Sequence, residues 1–463
     1  MKRLSRNFLA IVLSDLGRRL LGFFTIAYLA RRLGPSDFGA INIGFTILSY
    51  AGMAAMAGLG TFGARAAARG ELGPVAAALT GARFVNSMLM LLVVGCIAFV
   101  LPDRSTAALI LLFSLSLVPN SFNLEWYFQG KEAMGWIGAS RALSAGIYFL
   151  LVVTLVRGAG DILLVAVAAV AGDCAASVLL AANYRRRYPD AGLRPRFSGW
   201  RSLTLKALPL GAGSLLAHTS ANLPPLVIGI LMTNADVGIY SAAGKLVAFA
   251  LVGDRVLGTL LLPATARSFG RSPEALANML NGALKWMIVA ALPVCTGGAI
   301  LAGSIVRLIF GEQYSAAGEI LSVLIWFFLA TIVHTVFTSG LIASGQEKLY
   351  GKIMVISALL YLCVTVGLTM LAGAVGTAAA MVLSESAAVF MMARALARFV
   401  KLELPPAALK AAAASAVMAV ALLVLPPAAL PVAIAAGAIV YTAVLLATRA
   451  ISKNEFVELL GRV

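Results

Sequence analysis

FLAIVLSDLGRRLLGFFTIAYLARRLGPSDFGAI, residues 8–41, decides what kind of molecule this is. Its first part is an apolar run long enough to cross a bilayer, for which about 20 residues suffice. Yet Asp15, Arg18 and Arg19 stand near the middle of that run. At ~1.5 Å per residue, Arg18 lies roughly 16 Å past Asn7, about half of a ~30 Å hydrocarbon layer. A charge at that depth costs about 2.5–3.5 kcal/mol on insertion scales, so such groups face a bundle interior or a wet cavity. Asp15 precedes Arg18 and Arg19 by three and four residues, on the same helix face, where it partly neutralises them. The plain alternative is a self-contained charge cluster that only orients the first helix.

The rest of the composition agrees with a membrane-embedded chain. Of 463 residues 61% are hydrophobic and 12% charged, with mean hydropathy +0.96, against roughly 45–50% apolar for soluble domains. The fold class expected is therefore an all-α polytopic membrane protein. A basic start followed by an apolar run resembles a signal peptide, but Asp15, Arg18 and Arg19 would ruin its hydrophobic region, so the first helix is expected to stay. Cys96, Cys174, Cys295 and Cys363 are isolated within apolar runs, which suggests neither a disulfide framework nor a metal site. No GxxxxGK[ST] sequence occurs, which argues against ATP hydrolysis by this chain.

Fourteen apolar runs recur between residues 8 and 448, among them 8–30, 38–63, 105–125, 207–232, 352–372 and 375–397. They are read as about 14 transmembrane helices. With the N-terminus inside, the cytoplasmic segments hold 24 Lys and Arg and the opposite side 5, which places both termini in the cytoplasm. The formal charge of +17 is thus a topology signal rather than a nucleic-acid footprint. Residues 184–206, YRRRYPDAGLRPRFSGWRSLTLK, form the largest hydrophilic stretch. They are expected to be a basic cytoplasmic linker, in contact with anionic lipid, between an N-terminal lobe (1–183) and a C-terminal lobe (207–400). Residues 401–463 add helices 13 and 14 and a tail.

Two echoes suggest that the lobes repeat. SDFGAINIG (36–44) and ADVGIYSAAG (235–244) place Asp37 and Gly39 against Asp236 and Gly238. QGKEA and SGQEK pair Gly130 and Glu132 with Gly345 and Glu347. An even number of helices separates the equivalents, so two six-helix lobes run in the same sense. Such repeats are related by a pseudo-twofold along the membrane normal, with a substrate site between them.

LARRLGPSDFGAINIG after the first helix, YFQGKEAMGWI before the fifth and VGIYSAAGKL at the eighth resemble the polysaccharide exporter family. This is the Wzx-type flippase branch of the MOP (MATE-like) superfamily. The resemblance spans helices 1–12. It implies a MATE-like fold in the bacterial cytoplasmic membrane and transport without covalent chemistry. The implied substrate is undecaprenyl-pyrophosphate-linked oligosaccharide, flipped from the inner to the outer leaflet by alternating access. It also implies polysaccharide polymerase and chain-length machinery as companions. Many relatives carry an acid in helix 7 where this chain reads HTSANLPPLVIG with Asn222, so ion coupling through that carboxylate is in doubt here.

The intramembrane cations are Arg18, Arg19, Arg83, Arg141, Lys245, Arg255 and Lys285. Seven such groups would cost on the order of 20 kcal/mol if they faced lipid. Arginine's planar fork suits phosphate, so all except Lys285, which sits near the cytoplasmic end of its helix and can snorkel, are candidates for a cationic substrate cavity. Arg83 and Arg141 could snorkel too, and Arg255 could be held by its neighbour Asp254. Arg18 and Lys245 are the leading pair. Asp15, Asp173, Asp254 and Glu385 are the acids within spans, as charge partners or ion-coupling groups. Asn222, Pro224 and Pro225 mark a bend or gate in helix 7, because two prolines remove helix donors in a polar stretch. His218 and His334 titrate near neutrality in principle, but a buried His is more often simply hydrogen-bonded.

No cofactor or metal is implied; coupling to H+, Na+ or the membrane potential stays open. Export of each negative charge from a negative cytoplasm gains about 2.3 kcal/mol per 100 mV. A MATE-like multidrug antiporter would need an acid-dominated pocket, and a membrane glycosyltransferase would need a catalytic loop outside the membrane. A lipid II flippase is the near alternative.

Overall fold

The computed structural model describes residues 2–70, 74–188, 194–270, 272–403, 406–424 and 429–450. The side chains of Asp15, Arg19, His218 and Arg255 lie outside the described residues. The chain forms two compact units, Met1–Gly238 and Ile239–Val463.

In the first unit the helices are α1 (Lys2–Met56), α2 (Leu59–Ala68), α3 (Pro74–Val100), α4 (Arg104–Ser114), α5 (Leu117–Ser121), α6 (Glu125–Gly130), α7 (Met134–Leu155), α8 (Ile162–Arg187) and α9 (Trp200–Leu231). α10 (Asn234–Ala250) begins there and runs on into the second unit. That unit continues with α11 (Val252–Phe269), α12 (Pro273–Ile300), α13 (Ala302–Phe310), α14 (Ala317–Leu324), α15 (Trp326–Ala343), α16 (Glu347–Leu396), α17 (Pro406–Val424) and α18 (Leu430–Ala447).

Among the described residues ten helices are long and apolar enough to cross a membrane, against about 14 expected. The difference has local causes. The runs 8–30 and 38–63 meet within one helical stretch that turns at Gly34, at φ 79°, just before Pro35. The runs 352–372 and 375–397 likewise meet at Gly373, at φ 58°, inside α16. The run 105–125 is broken into α4 and α5, each too short to span. The run 207–232 lies in α9, where many side chains are outside the described residues. α9 starts at Trp200, inside the stretch expected to be linker, and packs in the first unit, with Ala207 and Gly211 against Gly58. It stays helical through Pro209, Pro224 and Pro225.

The first sequence echo has a structural counterpart. A Cβ on Gly39 would fall on the Asn234 carbonyl, and a Cβ on Gly238 would fall on the Pro35 carbonyl. The second echo is shifted by two residues. Phe128–Ala133 and Leu341–Gln346 both close a helix with a six-to-one hydrogen bond, of 2.8 and 2.9 Å. The left-handed residue is Glu132 in one and Gly345 in the other, so these two are the equivalents. Helices α17 and α18, expected as an appendage, dock on α12, where Tyr441 Oη donates to the Val289 carbonyl at 2.6 Å.

Candidate functional site

The break between α4 and α6 builds the site. Asp103 caps α4 by accepting from the Ser105 amide at 3.0 Å and the Thr106 amide at 3.3 Å, so the element starts there. The non-helical residues 122–124 end α5. Asn123 Oδ1 then accepts from the Glu125 amide at 2.9 Å and starts α6. Such a break frees carbonyls that lipid cannot satisfy. Arg83 of α3, only 6% exposed, satisfies them: Nη1 donates to the Asn123 carbonyl at 2.5 Å and Nη2 to that of Asn120 at 2.7 Å. Its Nε points at the Met56 sulfur at 3.1 Å, and Ser177 Oγ donates to the Pro119 carbonyl at 2.8 Å.

Beside this break lies a cavity of about 880 Å³, wholly within the first unit. Its charged lining is Arg18, Arg83 and Arg141 against Glu125 and Asp173, three cations to two acids. Arg141 of α7 grips Glu125 with both arms of its fork, Nε to Oε1 at 2.9 Å and Nη2 to Oε2 at 2.7 Å. Asp173 of α8 accepts from Asn120 Nδ2 at 3.2 Å, so Asn120 joins Asp173 to Arg83. Apolar walls come from Phe45, Met53, Leu117 and Tyr148. A cavity of this size, largely apolar with a few convergent polar groups, is what a ligand site requires.

Four of the sequence-derived candidates, Arg18, Arg83, Arg141 and Asp173, therefore share one cavity. They are not equivalent, because Arg83 is buried and held by backbone carbonyls, whereas Arg141 is 54% exposed and held by the Glu125 side chain. Asn222 and Pro225 are half-buried and Pro224 is buried, all on α9. Lys245 on α10 and Asp254 on α11 are half-buried in the second unit. Lys285 lies over the Trp286 ring at 5.3 Å, a cation–π arrangement at the helix surface. Glu385 of α16 is paired: its Oε1 is 2.6 Å from Nδ1 of His334 on α15.

Glu125 is not among the sequence candidates, because it ends an apolar run and reads as a loop residue. Its one signal is an acid beside a buried aromatic trio, Trp126, Tyr127 and Phe128, a place where a charge needs a partner.

Comparison with known proteins places this geometry. A family model described as polysaccharide biosynthesis protein matches residues 4–269, more than half of the chain. The chain belongs to that family. It is a membrane transporter of polysaccharide biosynthesis and not an enzyme. An Escherichia coli K12 protein named "Putative O-antigen transporter" is 24% identical over 406 residues, 82% of this chain and 94% of the relative. The "Probable low-salt glycan biosynthesis flippase Agl15" of Haloferax volcanii is 23% identical over 192 residues, and this chain spans 41% of its length. Among solved structures, the lipid II flippase MurJ superposes with TM-score 0.73 at 12% identity, covering 94% of this chain and 98% of that one. An inward-facing MATE multidrug transporter gives 0.64 at 15% identity, covering 82% and 95%. These likenesses establish a MATE- and MurJ-like fold.

Proposed function

We propose that this family member flips undecaprenyl-pyrophosphate-linked oligosaccharide from the inner to the outer leaflet of the bacterial cytoplasmic membrane by alternating access. The observation that carries the reading is the arginine-rich cavity of the first unit, about 880 Å³ and lined by Arg18, Arg83 and Arg141. A guanidinium fork matches phosphate oxygens, and an apolar surround strengthens that attraction. The relatives named for glycan flipping and O-antigen transport support the same substrate class. Lys245 and Arg255 are proposed as the cations of the second unit, with Asp254 and Glu385 as their charge balance. Asn222, Pro224 and Pro225 are proposed as the bend of α9.

Two rivals share the fold. A multidrug antiporter handles cationic drugs, for which a cavity with more arginines than acids is the wrong sign. A lipid II flippase carries the same pyrophosphate and differs only in the saccharide.

The test is deletion of the gene, followed by extraction of polyprenyl-linked saccharides and a drug-sensitivity panel. Accumulated lipid-linked oligosaccharide with lost surface polysaccharide supports the proposal, and accumulated lipid II would move the assignment to peptidoglycan precursor. Normal polysaccharide with new sensitivity to cationic drugs contradicts it.

A further inference from the structure

We propose that Glu125 is an internal stand-in for the transported anion. It occupies the fork of Arg141 while the cavity is empty, is displaced when an anionic headgroup arrives, and evicts that headgroup by returning. The inference rests on the flippase reading and assigns a specificity-determining residue within the same cavity.

Three features separate this pair from a structural salt bridge. The first is its form: the two parallel contacts, 2.9 and 2.7 Å, are the ones a phosphate would make with the same guanidinium. A carboxylate carries one negative charge there, and a pyrophosphate brings more. Exchange therefore keeps these two donors, Nε and Nη2, satisfied while increasing the charge they face.

The second is exposure. The side chains of Arg141 and Glu125 are 54% and 28% exposed, and both line the cavity. A pair that water and solutes can reach exchanges partners at lower cost than a buried one, whose separated charges would be left desolvated. Arg83, in the same cavity, shows the opposite design. It is 6% exposed and clamps two carbonyls that would be orphaned if it let go. Arg83 holds the wall, and Arg141 can change partners because α7 is continuous without it.

The third is anchoring. The Glu125 backbone is fixed by the Asn123 side chain at 2.9 Å and by the buried Trp126, Tyr127 and Phe128 that follow it. A rotated carboxylate is thus held close to Arg141 and regains it quickly. Glu125 also lies within electrostatic reach of Arg83 and of Asp173. Turning it away from Arg141 leaves that guanidinium uncompensated at the moment an anion is bound.

The test measures binding of a short-chain polyprenyl pyrophosphate to the full-length protein in nanodiscs, with the corresponding polyprenol as the neutral control. Glu125→Gln is expected to tighten pyrophosphate binding by about three- to tenfold and to slow its release, because the competitor is gone. Glu125→Asp, too short to hold both nitrogens, is expected to fall between wild type and Glu125→Gln. Arg141→Gln weakens binding, and adding Glu125→Gln to it gives no tightening. Polyprenol binding is expected to be the same in every variant. If wild type prefers the pyrophosphate but neither Glu125 variant binds it more tightly, the stand-in role is overturned and the flippase reading survives. If wild type does not distinguish pyrophosphate from alcohol, the flippase reading itself fails, and this proposal with it.

Discussion

Gly39 and Gly238 occupy each other's missing side-chain space. A Cβ on Gly39 would meet the Asn234 carbonyl and the Gly238 amide, at 2.9 Å from the latter; one on Gly238 would meet the Pro35 carbonyl and the Gly39 amide, at 3.1 Å. Pro35 and Asn234 each precede their glycine by four residues, so the contact has a local twofold. It joins the two copies of the Asp-x-Gly repeat, both within the first unit. Backbone, not flexible side chain, stands in the way of any substituent. Gly39→Ala and Gly238→Ala are each expected to cost about 1–3 kcal/mol, by similar amounts, as lowered thermal stability of the purified protein. Gly244→Ala, where no atom lies within 4 Å of the added carbon, is the control and should be neutral or slightly stabilising.

Arg83 should behave as a structural residue despite lining the cavity. Arg83→Gln leaves the Asn120 and Asn123 carbonyls without their donors, an expected loss of about 2–4 kcal/mol and of expression. Arg83→Lys should rescue poorly, because one ammonium point charge cannot span two carbonyls as a planar fork does. Arg18→Ala should do the reverse: transport falls while the unfolding temperature stays within a degree or two, roughly the range for substitutions away from packed features.

His334 and Glu385 join α15 to α16 across 51 residues of chain, half-buried at 16% and 20% side-chain exposure. A double-mutant cycle with His334→Gln and Glu385→Gln should show a coupling of about 1 kcal/mol or more. Additive losses would mean that the contact contributes nothing to holding the helices together.

The docking of the last two helices has its own handle. Tyr441→Phe removes the hydrogen bond to the Val289 carbonyl and is expected to cost about 1 kcal/mol. Transport by the variant should be unchanged, since Tyr441 belongs to the α12–α17–α18 contact and not to the cavity.

What could be read from the chain depended on whether a cause was local. The spans followed from hydropathy along single runs, and the Asp-x-Gly repeat from stretches of nine and ten residues, since both signals are contiguous in the chain. Arg18 was legible because a charge at mid-depth has few places to go. Glu125 and Arg141 are 16 residues apart with a helix break between them, so no helical periodicity relates them. The pairing of His334 with Glu385 depends on how two helices are rotated about their axes, which composition does not encode. Arg83 shows a further limit: a buried guanidinium looks the same in sequence whether it awaits a phosphate or caps a broken helix. The count of spans fell short of about 14 where glycine-centred turns, at Gly34 and Gly373, join two apolar runs within one helical stretch.

Reconstitution isolates the role of the cationic cavity in carrying the headgroup. Purified protein in liposomes would be given a fluorescent oligosaccharide on polyprenyl pyrophosphate, and leaflet transfer followed with and without an imposed potential. Transfer by wild type is expected to be faster toward the positive side, since each exported negative charge gains about 2.3 kcal/mol per 100 mV. Little transfer is expected by Arg18→Ala at unchanged stability. Transfer that ignores both the potential and Arg18 would contradict a cationic cavity as the carrier of the headgroup.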